Sequence, residues 1–335
     1  MAKNQGKAGQ TKDPIIRDLP LACTDELAAV EFLEKQRWGD NPCCPHCGCC
    51  GDSVYKMTKR GSAERNERFL WRCRECGKQY TVRIGTVLED SAIPLRHWCH
   101  AFWMACSCKN GVAAKEIERH TGLSYKSALF LMHRIRYAMT GSAGDGPMEG
   151  IVEADETYIG GKVGNKIGRY GRGKRTGRGQ RSHVPPKAPV MVMIQRGGEA
   201  RAQVMPNVTA RNLRTAIREN VAPSATLATD ESRLYIPVGR EQSGGHLRVN
   251  HGKRQYVNGN AYTNTAESFF ARLKRTIAGT HIHVSKKHLH RYVAQSEFMY
   301  NTRKQSDGER VLRAISGAEG KRLMYRDPVS NVERY

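Results

Sequence analysis

The sequence predicts a multidomain chain built of three unlike parts: a small cysteine-stapled β domain, a helical domain and a larger mixed α/β domain. Three observations predict it. All eleven cysteines lie before Lys109. The apolar period changes from alternating to helical at Ile93. Beyond a glycine-rich linker at 141–149, strand-like and helix-like segments alternate without a single cysteine. A chain of 335 residues is also longer than one compact core usually holds.

Composition narrows the function classes. The net charge is +23, so a polyanion is the natural partner, and nucleic acid fits best. No apolar run approaches the roughly 18 residues of a membrane span, and lipid anchoring has no motif. Residues 1–24 read as a basic flexible tail without the apolar stretch of a secretory signal. Cysteines confined to one third of the chain argue for a local device in a reducing compartment rather than a secreted disulfide scaffold.

The first domain spans 25–90. Asp25 is placed to cap a short helix whose apolar stripe is Leu27, Val30, Phe32 and Leu33. Residues 53–57, 68–73 and 78–89 alternate as strands do. Between the helix and the first strand lies NPCCPHCGCCG, residues 41–51, and a second knuckle follows at Cys73-Arg-Glu-Cys76-Gly77. Two C-x2-C knuckles joined by strands suit four thiolates on one zinc ion. Cys44 and Cys47 are the favoured partners of Cys73 and Cys76, because glycine after the second cysteine supplies a positive-φ residue. Cys47 with Cys50 also has the spacing, and Cys43 with His46 is a further pairing the stretch allows. Cys43, Cys49 and Cys50 then remain as spare thiols. A redox role is disfavoured, since no βαβ unit surrounds the motif. Four thiolates leave no open metal position, so the zinc is structural.

The second domain spans 91–140. Pro94 opens a helix with Leu95, Trp98, Phe102 and Cys106 on one face, and Cys99, Cys106 and Cys108 read as small core residues. Helix, Thr121-Gly122-Leu123 turn and a second helix capped by Ser124 follow, packed by Ile117, Leu123, Leu131, Ile135 and Met139. This is the pattern of a helix-turn-helix. Tyr125, Lys126 and Ser127 fall in the first turn of the second helix, where base edges are read, and His133 and Arg134 add charge nearby.

The third domain spans 150–305, with a basic loop at 160–187 and a tail at 306–335. Arg172, Lys174 and Arg175 in the loop read as a DNA-contacting arm. Acids are scarce, 32 against 55 basic residues, so acids embedded in apolar segments stand out. Asp155 lies within the strand-like IVEADETYIG, Asp230 ends the strand-like ATLATD, and Glu267 lies on the helix NTAESFFARLKR. On that helix Phe269, Phe270, Leu273 and Ile277 form the buried stripe, with Asn264, Glu267, Ala271 and Lys274 opposite. Three convergent carboxylates in a DNA-seeking chain suit two Mg2+ (or Mn2+) ions at a phosphodiester, with Lys274 near a phosphate. Glu153 shares the face of Asp155 and is open as an extra metal ligand, though it reads first as support, whereas Glu156 faces the other layer. His281, His283, His288 and His290, beside Lys286, Lys287 and Arg291, fit phosphate contact or packing better than a second metal site.

Taken in order, C-P-x-C-G, CRECGKQY, GVAAKEI with TGLSYKSA and MHRIR, VEADETYIGGK, DES, and NTAESFFARLKR followed by KHLHRY resemble the bacterial insertion-sequence transposases, over residues 25–303. The resemblance implies a zinc ribbon and helix-turn-helix ahead of an RNase H-like DDE core with a mixed five-stranded sheet. It implies Asp155 on the first core strand, Asp230 at the end of the fourth, and Glu267 on a later helix with Lys274 as companion base. Some members carry asparagine in place of the third acid, which brings in Asn264. The expected activity is binding of an element's terminal inverted repeats, cleavage of the ends and joining of the 3′-OH to target DNA. The expected partners are double-stranded DNA and a second copy or more of this chain, with no membrane, in the bacterial cytoplasm at the nucleoid. The rival expectations are a nuclease of the same core that cuts without joining, and a domesticated DNA-binding regulator.

Overall fold

The structure is a computed structural model that describes residues 15–160, 187–249 and 262–324. The chain divides into two compact units, 1–139 with 304–335, and 140–303.

The first unit opens with α1 (Ile15–Thr24), within the stretch expected to be a flexible tail. Pro20 masks the helix in the sequence, yet Ile15, Leu19 and Ala22 are buried on one side and hold it in place. α2 (Glu26–Trp38) follows, and the Ala28 N–H donates to the Asp25 cap at 2.7 Å. Such a cap stabilises a helix by about 1 kcal/mol. Val30, Phe32 and Leu33 are buried as expected, but Leu27 is 42% exposed and Ala29 takes its place in the core.

β1 (Val54–Lys56), β2 (Trp71–Cys73) and β3 (Gln79–Tyr80) form an antiparallel sheet in that order. The third strand is far shorter than the expected 78–89. Gly85 sits at φ +77°, and Ile84, Thr86 and Glu89 donate backbone N–H groups to carbonyls three residues back, so turns replace extended chain. A nearly buried carboxylate ties this sheet to α2. Glu34 accepts from Trp71 Nε1 at 2.7 Å and from both terminal nitrogens of Arg65.

α3 (Leu95–Ser107) buries Leu95, Trp98, Phe102 and Cys106 as the period predicts. α4 (Ala114–Thr121) ends at Gly122, which is left-handed at φ +71° and donates its N–H to Glu118. α5 (Tyr125–Ala138) starts at the Ser124 cap, which accepts from the Ser127 N–H at 3.3 Å. Ile117, Leu131, Ile135 and Met139 are buried between them, and Leu123 is half-buried.

The second unit is a mixed five-stranded sheet with helices packed on it. β4 (Ile151–Ile159), β5 (Ala188–Gln195) and β6 (Ala200–Val204) run antiparallel in turn, the last two joined by the Arg196-Gly197-Gly198 turn. α6 (Ala210–Asn220) is capped by Thr209. β7 (Thr226–Thr229) pairs parallel to β4, and β8 (His246–Arg248) parallel to β7, with α7 (Ile236–Gly239) between them in the chain. The sheet order is β6-β5-β4-β7-β8. α8 (Asn264–Arg275) continues into a π-helical turn over Thr276–His281, and α9 (Leu289–Asn301) follows. The alternation of β4 divides two cores. Val152 and Ala154 face Met191, Met193, Leu213, Leu227 and Tyr235. The other face holds Val190, Val192 and Ile194 against Ala266, Phe269, Phe270 and Leu273. The expected linker begins this unit: Met148 is fully buried and its backbone pairs with Val221.

α10 (Asp307–Ser316) lies in the stretch expected to be a C-terminal tail. Ser306 and Glu309 form a reciprocal capping box, and Val311 and Ala314 are buried. Arg310 donates to the Cys106 carbonyl at 2.8 Å, which returns the helix to the first unit. Among the described residues, no helix is long and apolar enough to cross a membrane.

Candidate functional site

Cys44, Cys47, Cys73 and Cys76 are the described residues that form a metal-ligand cluster, with all four Sγ atoms within 4.8 Å of one another. Cys44 and Cys76 stand 3.7 Å apart, and Cys47 and Cys73 3.6 Å. Tetrahedral zinc with bonds of about 2.3 Å spaces its sulfurs by about 3.8 Å, so the donor set fits zinc. The Cys76 backbone N–H, working against burial and assisted by Cys47, pulls the Cys73 thiol down to about 7. That favours the thiolate a metal needs. The register is decided by the neighbours. Cys43 and Cys50 lie opposite each other across the tight 44–49 turn and are joined by a disulfide, so neither is a spare thiol. Cys50 is thereby removed from competition with Cys44, and Cys49 alone of the three remains a free thiol.

The outer face of the same sheet is basic. Tyr55, Arg72 and Gln79 are paired across the three strands and exposed, and the Arg74 guanidinium lies over the Tyr55 ring at 5.3 Å. On the second helix of the helix-turn-helix, Tyr125 and Lys126 are exposed and Ser127 is half-buried. His133 and Arg134 are not available to DNA. Both are buried, and Arg134 Nη1 donates to the Val87 and Glu89 carbonyls at 2.9 and 2.7 Å. Only the first turn of α5 leaves the surface free, because its later turns run through the core of the unit. Arg172, Lys174 and Arg175 lie outside the described residues.

The three acids converge within the second unit. Asp155 sits on β4, and Asp230 follows the last residue of β7. The parallel register pairs Glu153 with Ala228, and past that pair Asp155 lies within β4 and Asp230 just beyond β7. Glu267 is on the exposed face of α8 with Asn264, Ala271 and Lys274, while Phe269, Phe270, Leu273 and Ile277 are buried. Burial, joined by the charges of Glu156, Asp230 and Glu267, pushes the Asp155 carboxyl up to about 7 despite a 2.8 Å bond from the Glu156 N–H. A carboxyl with that many acidic neighbours is a natural cation site. The donor set is all oxygen, which fits Mg2+ or Mn2+. The carboxylate oxygens do not close to the spacing of the cysteine cluster.

Glu153 is not part of the ligand set. It is fully buried and spoken for: Arg196 Nε at 2.9 Å, Thr265 N–H at 2.9 Å, Thr265 Oγ1 at 3.1 Å and Ala266 N–H at 3.2 Å all donate to it. It therefore caps α8 from the neighbouring strand and fixes the helix that carries Glu267. Arg196 also holds the approach to α8, donating to the Tyr262 carbonyl at 2.9 Å with its guanidinium 3.5 Å from that ring's centre. Glu156 faces the other layer, as its position on β4 requires, and accepts from the Tyr235 hydroxyl. Sequence reasoning had no signal for Arg196 or Tyr235, since a lone arginine in a turn and a lone tyrosine in a short helix carry no pattern. Of the histidines, His281 packs edge-on against Tyr292 at 4.8 Å, and none joins a metal-ligand group among the described residues.

A five-stranded mixed sheet with converging acids, preceded by a four-cysteine ribbon, defines a class of DNA-processing protein, and comparison with known proteins agrees. Residues 147–301 match the model of the ISXO2-like transposase domain, and residues 24–79 that of the transposase zinc-ribbon domain. A protein of Halobacterium salinarum described as an uncharacterized protein in transposable element ISH50 is 31% identical over 278 residues, covering 80% of this chain and 88% of its own. The chain belongs to the ISXO2-like transposase family. Among solved structures, a chain of the simian T-cell lymphotropic virus intasome in complex with PP2A regulatory subunit B56 gamma aligns with a TM-score of 0.26 at 13% identity. That match covers 55% of this chain and 63% of the other, so this chain spans less than two thirds of that neighbour's length. A likeness of that size carries nothing across.

Proposed function

We propose that this transposase binds the terminal inverted repeats of its element, cleaves the ends and joins the freed 3′-OH to target DNA. The observation that supports the reading is that the charges of Asp230, just after β7, and Glu267, on α8, act on the largely buried carboxyl of Asp155 on β4. Asp155, Asp230 and Glu267 would hold two Mg2+ or Mn2+ ions, which supply Lewis acidity to the attacking and leaving oxygens of a phosphodiester when bound. Asn264 lies one turn before Glu267 on the same exposed face and is the alternative third ligand. Lys274 is exposed two turns beyond Glu267, about 10 Å along the helix, and offers a charge to a phosphate beside the scissile one.

End binding is assigned to Tyr125, Lys126 and Ser127 reading base edges, with the ribbon face of Tyr55, Arg72 and Arg74 on the phosphate backbone. Arg172, Lys174 and Arg175, which lie outside the described residues, are assigned phosphate contacts on their charge alone. Joining needs two ends at once, so the working form is a dimer or larger assembly on DNA, in the cytoplasm at the nucleoid.

Pre-cut element ends incubated with a supercoiled target and Mg2+ test the reading. Covalent joining of the 3′ ends is the expected result. Hydrolysis of uncut ends with no joined product would reduce the protein to a nuclease.

A further inference from the structure

The pairing of β4 with β7 stops at Glu153 and Ala228. Asp155 and Asp230 lie past it, where no backbone ladder joins the two strands. Asp155 is mid-strand and stays paired with Val192 of β5, whereas Asp230 lies just beyond the end of β7 with no ladder to β4. Like charges at Asp155 and Asp230 repel, so without another tie the turn at Asp230 would move away from β4.

A side-chain bond spans the gap from the opposite face of the sheet. The Tyr235 hydroxyl donates to Glu156 Oε2. Glu156 is the residue after Asp155, and Tyr235 follows Asp230 by one short turn. That turn is itself fixed. The Ser232 N–H donates to Asp230 Oδ1 at 3.0 Å, and Ser232 Oγ caps the 3-10 turn Arg233–Tyr235. Tyr235 is fully buried in the core with Leu213, Leu227 and Val238, so its hydroxyl is held by packing and has little freedom to leave Glu156. Asp155 is thus tied to Asp230 through a closed path: β4 backbone, Glu156, Tyr235, the 3-10 turn.

We propose that Tyr235 and Glu156 are positioning residues whose hydrogen bond replaces the missing ladder and holds Asp230 against Asp155 in the spacing a divalent cation needs. The proposal rests on the reading that Asp155 and Asp230 hold such a cation. Glu156 acts here from the far face of β4 and is not itself a ligand.

The test uses the full chain and Mn2+ alone as probe, with free Mn2+ followed by electron paramagnetic resonance, beside cleavage of element ends across the same Mn2+ range. Tyr235→Phe is expected to weaken Mn2+ binding about tenfold, the scale of one charge-assisted hydrogen bond. Cleavage at saturating Mn2+ should stay within about threefold of the parent, with end binding and the thermal midpoint nearly unchanged. Glu156→Ala should match it, the double variant should be no worse than either, and Glu156→Gln, which still accepts from the hydroxyl, should recover most of the binding. Unchanged Mn2+ binding in Tyr235→Phe overturns the tether. So does loss of Mn2+ binding in Glu156→Ala alone, which would make Glu156 a ligand, or an equal fall in end binding and melting, which would make Tyr235 a packing residue. Asp155→Asn separates the two claims. Full Mn2+ binding there overturns the carboxylate site itself, whereas lost binding there with full binding in Tyr235→Phe overturns only the tether.

Discussion

Cys44 and Cys47 share one tight turn, and Cys73 and Cys76 share another, whereas Asp155, Asp230 and Glu267 come from a strand, a strand end and a distant helix. Both sets are anionic when they bind metal. The sulfurs are gathered within 4.8 Å, but the carboxylates stop short of such a cluster. The Cys47 and Cys76 thiols are pushed up to about 11 and keep their protons near neutral pH, so the sulfurs tolerate one another at 3.6 and 3.7 Å. Carboxylates near neutral pH repel, and burial of Asp155 sharpens the conflict. The lesson is that a local ligand set builds its own scaffold, while a dispersed one needs supports that are not ligands. Glu153, Arg196, Glu156 and Tyr235 are those supports.

Five variants test that contrast, the first with the largest effect. Asp155→Asn should lower end cleavage by about a thousandfold or more while leaving end binding intact, as read by gel shift and product analysis. If binding fell in parallel, the dispersed site would be structural like the ribbon and the contrast would fail. Cys73→Ser should release the zinc, measured by metal analysis, and unfold the ribbon, since structural zinc contributes on the order of 10 kcal/mol. Cys50→Ser should retain zinc, because its sulfur is bonded to Cys43; zinc loss there would reopen the register.

Arg196→Met should cost about 3 kcal/mol of stability in urea unfolding of the second unit, because Glu153 stays buried without its counter-charge. A neutral result would mean that the α8 cap alone satisfies Glu153. The smallest effect concerns Glu297 on α9, which accepts from the Ala202 N–H at 2.8 Å. Burial pushes its carboxyl up to about 7 from 4.5. Its folded value lies above its unfolded one, so its stabilising share is complete below about pH 4.5 and is lost as pH rises through about 7. Glu297→Gln should therefore gain about 1 kcal/mol at pH 8 and little at pH 5, read from thermal midpoints. Equal gains at both values would show that packing, not charge, sets the effect.

Much of the fold was legible because its signals are local. The Asp25 and Ser124 caps, the Gly122 stop and the knuckle spacing each act within a few residues. The misses share a different cause. α1 hides behind Pro20, and α10 begins with a capping box, yet its partner α3 lies far back in the chain. Residues 81–89 alternate like a strand, but among the described residues they meet a single isolated bridge, Thr86 with Glu319, and Gly85 turns the backbone. His133 and Arg134 carry charge at helical spacing, and only packing reveals that Arg134 is spent on two carbonyls of its own unit.

By itself the sequence determined the four zinc ligands to within two alternatives, the helix-turn-helix, the strand and helix order of the α/β unit, and which three acids to compare. Those follow from spacing and periodicity, which are properties of neighbouring residues. The tertiary structure decided the rest: that Cys43 and Cys50 close the knuckle loop, that the charges of Asp230 and Glu267 reach Asp155, that Glu153 caps the helix of Glu267, and that Tyr235 reaches Glu156. Each of these joins chain segments through register or burial, and neither is written in the order of residues along a single segment.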